Sequence, residues 1–196
     1  MLDLHRNWFK GLEAITAKTF AVLPVTPNQY TAISIVFALI CAYQLFVGNY
    51  WLALLFFALA LGMDFVDGAV ARFKNLSTAK GAYLDTIVDR YVEAILLFGL
   101  LFTGLPEFYL PGAVWIFLAL FGSTMTTYAK AAAKEKGLSE VKGGLMSRAE
   151  RSILYIAIII LANFSKDSST ILVALLAILS NFTAWQRIFK ALRAGK

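Results

Sequence analysis

The sequence predicts an all-helical integral membrane protein with six transmembrane helices and an N-terminal amphipathic helix. Three observations support this prediction. Of the 196 residues, 60% are hydrophobic, and the mean hydropathy is +0.71, whereas a soluble domain is roughly 45–50% apolar. The apolar residues form six long runs, each near the roughly 20 residues that a membrane-crossing helix needs. Basic residues concentrate at the two ends of the chain and in every second connection between these runs, which places them on one side of the membrane.

The N-terminal segment is predicted to form a helix that lies in the cytoplasmic membrane interface. Apolar residues recur at helical spacing through residues 2–20, with charged residues between them, and Trp8 is a suitable interfacial anchor. The alternative is a solvated N-terminal extension. Pro24 and Pro27 then interrupt the chain, and residues 26–28 are expected to cap the first transmembrane helix.

The six apolar runs are expected to form a single bundle. They lie near residues 30–47, 50–72, 82–103, 111–132, 148–163 and 169–189. We find no internal repeat or low-complexity segment. We therefore expect one membrane domain over residues 1–196, with the interfacial helix in 1–22 and the bundle in 26–193. Residues 1–20 lack a continuous apolar centre, so a cleavable signal peptide is not expected.

The distribution of Lys and Arg predicts the orientation in a cell membrane. Basic residues concentrate in the N-terminal segment, the second-to-third and fourth-to-fifth connections and the C-terminus. The connections on the other side carry Lys166 as their only basic residue. By the positive-inside rule, both termini are cytoplasmic, which requires an even number of crossings. The net charge of +6 favours an anionic membrane surface or substrate over nucleic acid in so apolar a chain.

Four aspartates at the cytoplasmic ends of the second and third runs predict a metal site. Asp64 and Asp67 are three residues apart, and Asp85 and Asp89 are four apart, so each pair shares a helix face. The two helices must be antiparallel because their connection is short. Four carboxylates at one membrane depth require protonation or cations, and oxygen ligands suit Mg²⁺, Mn²⁺ or Ca²⁺. Two such metals would suit phosphoryl transfer.

Small and basic residues accompany these aspartates. Gly68, Ala71 and Gly81 leave little side-chain bulk beside the carboxylates, which lets a polar ligand approach the backbone. Arg72 and Lys74 offer cationic partners for phosphate. The fixed positions resemble the signature of the CDP-alcohol phosphotransferase family, with the pattern Asp64-x-x-Asp67-Gly68-x-x-Ala71-Arg72, eight residues, Gly81-x-x-x-Asp85-x-x-x-Asp89.

The resemblance extends to the six-span architecture, the interfacial helix and the turn at Pro27 and Asn28. It implies an enzyme that transfers a phosphatidyl-type group from a CDP-linked lipid to an alcohol, releasing CMP. It also implies a homodimer and a CDP-lipid pocket lined by Asn28, Gly68, Ala71, Arg72 and Gly81.

The resemblance further implies a site for two divalent cations, Mg²⁺ or Mn²⁺. Asp64, Asp67 and Asp85 would be its core ligands, and Asp89 would complete it. Asp89 would also be the general base that takes the proton of the acceptor hydroxyl. The sequence does not decide how far Asp89 acts as a metal ligand and how far as the base.

Basic residues near the fourth-to-fifth connection predict an acceptor that carries a phosphate. Residues 143–155 resemble the corresponding part of the family's phosphatidylinositol-phosphate and archaetidylinositol-phosphate synthases, which use inositol phosphate. Glycerol 3-phosphate stays open as an acceptor, and serine ranks third. Orientation bias and anionic lipid headgroups are the alternative explanation of the charges. The candidate phosphate-binding residues are Lys130, Lys134, Arg148, Arg151 and Arg187.

Two other classes of protein compete with the enzyme hypothesis. A cation or proton transporter also carries intramembrane carboxylates. Its ion route should continue across the membrane, whereas Glu93 alone lies beyond Asp89 in the third run. A non-catalytic membrane adaptor would have no need for four convergent carboxylates.

Overall fold

The computed structural model describes residues 6–138 and 143–194. Within these ranges the chain forms α-helices, a short 3-10 turn at Leu101–Thr103 and an isolated β-bridge between Phe108 and Leu110, and it forms no extended β-strand. The all-helical prediction is therefore confirmed for this part of the chain. Its α-helices are α1 (Arg6–Phe20), α2 (Pro27–Phe46), α3 (Tyr50–Phe73), α4 (Ala79–Leu100), α5 (Gly112–Glu135), α6 (Arg148–Ala162) and α7 (Lys166–Ala194). The first residues of the predicted interfacial helix, 2–5, and Lys142 of the basic connection lie outside the described ranges.

Four of these helices are long and apolar enough to cross a membrane, as a multi-pass membrane protein requires. They are α2, α3, α5 and α7. α4 has 22 residues, but it carries the predicted site aspartates together with Arg90 and Glu93. α6 has 15 residues, about 22 Å of helix against a hydrocarbon core of about 30 Å. Length and composition of the helices therefore support four of the six predicted membrane crossings.

The described helices belong to two compact units, residues 1–99 and 100–196. In the first unit, Thr26 is the N-cap of α2, and its backbone N–H donates to Gln29 Oε1 at 2.8 Å. The predicted cap at residues 26–28 is thereby confirmed. The Tyr30 hydroxyl donates to the carbonyl of Phe20 at 3.1 Å, which ties the end of α1 to α2. α4 approaches α2 closely, because a Cβ at Gly99 would lie 2.8 Å from Ala42 Cα.

In the second unit, α5 and α7 pack closely through small and polar residues. A Cβ at Gly122 would lie 2.7 Å from the backbone nitrogen of Asn181. Asn181 Nδ2 donates to the carbonyl of Leu118 at 2.8 Å. Ser169 Oγ of α7 donates to the carbonyl of Ile158 in α6 at 2.9 Å. Small residues and interhelical hydrogen bonds are the usual means of packing transmembrane helices.

Candidate active site

Three of the four predicted aspartates meet in the first unit. One carboxylate oxygen from each of Asp64, Asp67 and Asp85 lies within 4.8 Å of the others. Asp67 is 6% exposed, and the other two are half-buried. Carboxylates this close are stable together when a cation offsets their charge, and a set of hard oxygen donors fits Mg²⁺ or Mn²⁺. Asp89 lies one helical turn beyond Asp85 on α4, half-buried and outside this group of three.

Thr31 of α2 is a contact of this cluster that the sequence analysis missed. Its hydroxyl lies 2.5 Å from Asp67 Oδ2 and 3.1 Å from the carbonyl of Pro27. Both Thr31 and Asp67 are buried, so the hydrogen bond fixes the orientation of the carboxylate. The available signal was its spacing, since Thr31 is three residues from Asn28 and so shares a face of α2.

All five residues predicted to bind the CDP-lipid line one cavity of about 150 Å³ in the first unit. Asp67 and Asp85 line the same cavity, together with Thr31 and residues 76–78 of the α3–α4 connection, which were not predicted. The wall at Gly81 is tight, because a Cβ there would lie 3.2 Å from Thr78 Oγ1 and 3.5 Å from Asn28 Oδ1. The five are Asn28, Gly68, Ala71, Arg72 and Gly81.

The Arg72 side chain forms part of this wall and is held in place by α1. Its guanidinium lies over Gly68, since a Cβ at Gly68 would be 3.3 Å from Arg72 Nη1. Its Nε donates to Glu13 Oε1 at 2.5 Å. The two side chains are 53% and 32% exposed, so this ion pair adds little to stability but orients the guanidinium. No sequence signal pairs Glu13 with a residue 59 positions away.

The predicted acceptor residues lie in the second unit, and two of them meet at one loop. Arg151 is 2% exposed, and its Nη1 donates to the carbonyl of Met146 at 3.4 Å. Arg187 is half-buried, and its Nε donates to the carbonyl of Gly143 at 3.1 Å. Both arginines thus bond to the backbone of the segment 143–146. The other three candidates have exposed side chains, and their part in a shared pocket stays a prediction: Lys130, Lys134 and Arg148.

Comparison with known proteins identifies the class to which this fold and site belong. Residues 24–186 match the family described as CDP-alcohol phosphatidyltransferase, and the chain belongs to this family. It is therefore a membrane-bound transferase of phospholipid biosynthesis, from a family that uses divalent metal ions.

Two archaeal relatives are similar over most of the chain. The archaetidylinositol phosphate synthase of Pyrococcus horikoshii is 36% identical over 174 residues, covering 89% of this chain and 87% of the relative. The archaetidylinositol phosphate synthase of Aeropyrum pernix is 31% identical over 185 residues, covering 93% and 92%.

Crystal structures of Mycobacterium tuberculosis phosphatidylinositol phosphate synthase share the fold. The structure in complex with manganese and citrate has a TM-score of 0.82 and 25% identity, covering 92% of this chain and 88% of that one. The structure with CDP-DAG bound has a TM-score of 0.81 and 24% identity, covering 91% and 92%.

Proposed function

We propose that this protein transfers the phosphatidyl-type or archaetidyl group of a CDP-linked lipid to a hydroxyl of inositol phosphate. The acceptor oxygen bonds to the lipid-linked phosphorus, the bond from that phosphorus to CMP breaks, and the acceptor proton passes to a base. The observation that carries the choice of acceptor is that the buried Arg151 and the half-buried Arg187 both bond to the backbone of residues 143–146. A phosphate monoester is a ligand that guanidinium groups recognise through paired N–H contacts, and two archaeal relatives are named as archaetidylinositol phosphate synthases.

The cavity between α2, α3 and α4 is the proposed donor site. Gly68 and Gly81 leave room for the nucleotide to approach the helix backbones. Arg72, which Glu13 orients, is placed to bind a phosphate of the donor through its guanidinium. Asn28 and Ala71 complete the wall that we assign to the CDP group.

The aspartate cluster is the proposed metal site. Asp64, Asp67 and Asp85 would hold the cations, with Asp89 completing the set. Bound divalent cations supply charge that neutralises the pyrophosphate and stabilises the departing CMP. Thr31 keeps the Asp67 carboxylate in one orientation, and Asp89 accepts the proton of the attacking hydroxyl.

Thr31→Val is expected to weaken Mn²⁺ binding by about 10–100-fold, because loss of a group that orients a metal ligand has effects of this size. Thr31→Ser keeps the hydroxyl and should bind Mn²⁺ as the wild type does. The measurement is a Mn²⁺ titration followed by electron paramagnetic resonance, without lipid. Ser34→Ala is the matched control, since Ser34 is a buried hydroxyl of the same helix that donates to the carbonyl of Thr31. Equal affinity of Thr31→Val and wild type would contradict the proposed orienting role.

The proposed topology has six crossings, with both termini and the active site on the cytoplasmic side. The distribution of Lys and Arg supports it. The charges that lower the hydropathy of α4 include proposed site residues, so they do not argue against its crossing the membrane. We further propose a single functional domain over residues 1–196, with α1 in the interface, and a homodimer, as the family resemblance implies.

Glycerol 3-phosphate is the second candidate acceptor, because a pair of guanidinium groups fits any phosphate monoester.

The transporter alternative needs a further carboxylate beyond Asp89 to bind the ion, and Glu93 is the candidate. Glu93 Oε2 instead accepts from Arg90 Nη1 at 2.5 Å. Arg90 already offsets the charge of this carboxylate, so a passing cation would have to displace it.

An acceptor panel tests the proposed function. The purified protein is supplied with Mn²⁺ or Mg²⁺, a CDP-linked lipid and one acceptor, and CMP release is measured. We expect CMP with inositol phosphate and none with unphosphorylated inositol, which is the matched control for the phosphate. Faster turnover of glycerol 3-phosphate would move the assignment to the second candidate. Absence of CMP with every acceptor would contradict the transferase proposal.

A further inference from the structure

The segment 143–146, which we call the GGLM loop, precedes α6 and is held by side chains of its neighbours. Arg187 of α7 donates through Nε to the carbonyl of Gly143 at 3.1 Å, and through Nη1 to the carbonyl of Thr126 in α5 at 2.7 Å. Two of its three guanidinium nitrogens thus bind backbone carbonyls. Arg187 therefore joins the loop to both long helices of the second unit.

The other end of the loop is held at Met146, which is buried. Its N–H donates to Thr183 Oγ1 at 3.0 Å, and its carbonyl accepts from Arg151 Nη1. The Thr183 hydroxyl in turn donates to the carbonyl of Leu179 at 2.8 Å, so it both accepts from the loop and donates to its own helix. The two arginines of the proposed acceptor pocket therefore bind opposite ends of one four-residue loop.

The first two positions of the loop also need glycine. Gly143 and Gly144 have φ values of +87° and +127°, which residues with a side chain rarely adopt. A Cβ at Gly144 would lie 2.4 Å from Thr183 Cγ2. The loop backbone thus packs directly on the Thr183 side chain, which fixes the distance between the loop and α7.

From these contacts we infer that Thr183 and Gly144 are positioning residues for the acceptor pocket. They hold the GGLM loop at the distance from α7 at which Arg151 and Arg187 face the same phosphate. The inference rests on the proposed function, since it concerns the phosphate of the acceptor. A shift of the loop would separate the two guanidinium groups, and the loss would fall on acceptor binding.

Thr183→Val tests the hydrogen bond to the loop. We expect the KM for inositol phosphate to rise roughly five- to tenfold, the effect of one buried hydrogen bond, with the KM for the CDP-lipid unchanged. Thr183→Ser keeps the hydroxyl and should restore the wild-type KM. Thr170→Val is the matched control: Thr170 is a buried threonine of α7 that donates to the carbonyl of Lys166 at 2.9 Å, as Thr183 does to Leu179. A rise in both KM values, or the same rise with Thr170→Val, would overturn the inference.

Gly144→Ala tests the packing of the loop on Thr183. It should raise the acceptor KM, and adding Thr183→Ser should recover part of the loss, because serine lacks the Cγ2 atom that the new Cβ meets. Gly137→Ala is the control for backbone strain alone, since Gly137 has a φ of +69° and nothing within 4 Å of its Cβ position. No recovery in the double variant would contradict the packing contact.

A turnover-independent measurement separates this inference from the proposed function. Binding of inorganic phosphate to the detergent-solubilised protein is followed by calorimetry. Thr183→Val should weaken phosphate binding and Thr170→Val should not, whichever acceptor the panel identifies. If inositol phosphate gives no CMP while this difference holds, the choice of acceptor fails and the positioning role stands. Unchanged phosphate binding in Thr183→Val overturns the positioning role alone.

Discussion

Asp89→Asn is expected to lower kcat by about 10²–10⁴-fold, the usual contribution of a general base. Asparagine has nearly the same shape as aspartate but cannot take a proton from the acceptor hydroxyl. Asp89 lies one turn beyond Asp85 on α4 and is not part of the group of three carboxylates that lie within 4.8 Å of one another. We therefore expect Mn²⁺ affinity to change far less than turnover. Initial rates of CMP release and a Mn²⁺ titration measure the two effects separately.

Asp67→Asn is the matched comparison, because Asp67 belongs to the group of three and is buried. It should lower Mn²⁺ affinity and turnover together, and by more than Thr31→Val does, since it removes a proposed ligand and not the group that orients it. Comparing the two variants shows which aspartate mainly binds metal and which mainly takes the proton. Asp89→Asn with wild-type kcat would exclude Asp89 as the base. A loss of Mn²⁺ binding as large as that of Asp67→Asn would make it mainly a ligand.

The helices were predictable because each leaves a local mark in the sequence. Thr26 and Pro27 mark the start of α2, and the apolar run from residue 50 ends at the basic residues Arg72 and Lys74, close to the end of α3 at Phe73. The predicted ends of α3 and α6 differ from the observed ones by one residue. α7 runs further than predicted, to Ala194, because its last turns are polar and basic and hydropathy does not detect them.

The meeting of Asp64, Asp67 and Asp85 was predictable because helical spacing and the short α3–α4 connection place them at neighbouring helix ends. The side chains that hold the proposed site residues and the GGLM loop in place were not predictable. Thr31 reaches Asp67 across 36 positions, Glu13 reaches Arg72 across 59 and Thr183 reaches Met146 across 37. Each is a common residue type in an ordinary helix, and its partner is set by helix packing. Sequence patterns thus predict candidate reactive groups, whereas tertiary structure identifies what holds them in place.

Arg151→Lys should have the largest effect on the acceptor. Lysine keeps the positive charge but cannot form the paired N–H contacts of a guanidinium with phosphate. Hydrogen bonds to charged groups contribute about 1.5–3 kcal/mol, so we expect the KM for inositol phosphate to rise roughly 10–150-fold. Because Arg151 is buried and also bonds to Met146, a melting curve must accompany the kinetics.

The specificity of the effect decides how Arg151→Lys is interpreted. The KM for the CDP-lipid should stay near the wild-type value, because the proposed donor cavity is lined entirely by residues of the first unit. Lys136→Ala is the control for general loss of positive charge, since Lys136 is an exposed lysine next to α5 that pairs with Glu135. An equal rise in both KM values would show that Arg151 supports the fold and not the acceptor. A wild-type acceptor KM would remove Arg151 from the phosphate pocket and leave Arg187 as its one buried or half-buried candidate among the described residues.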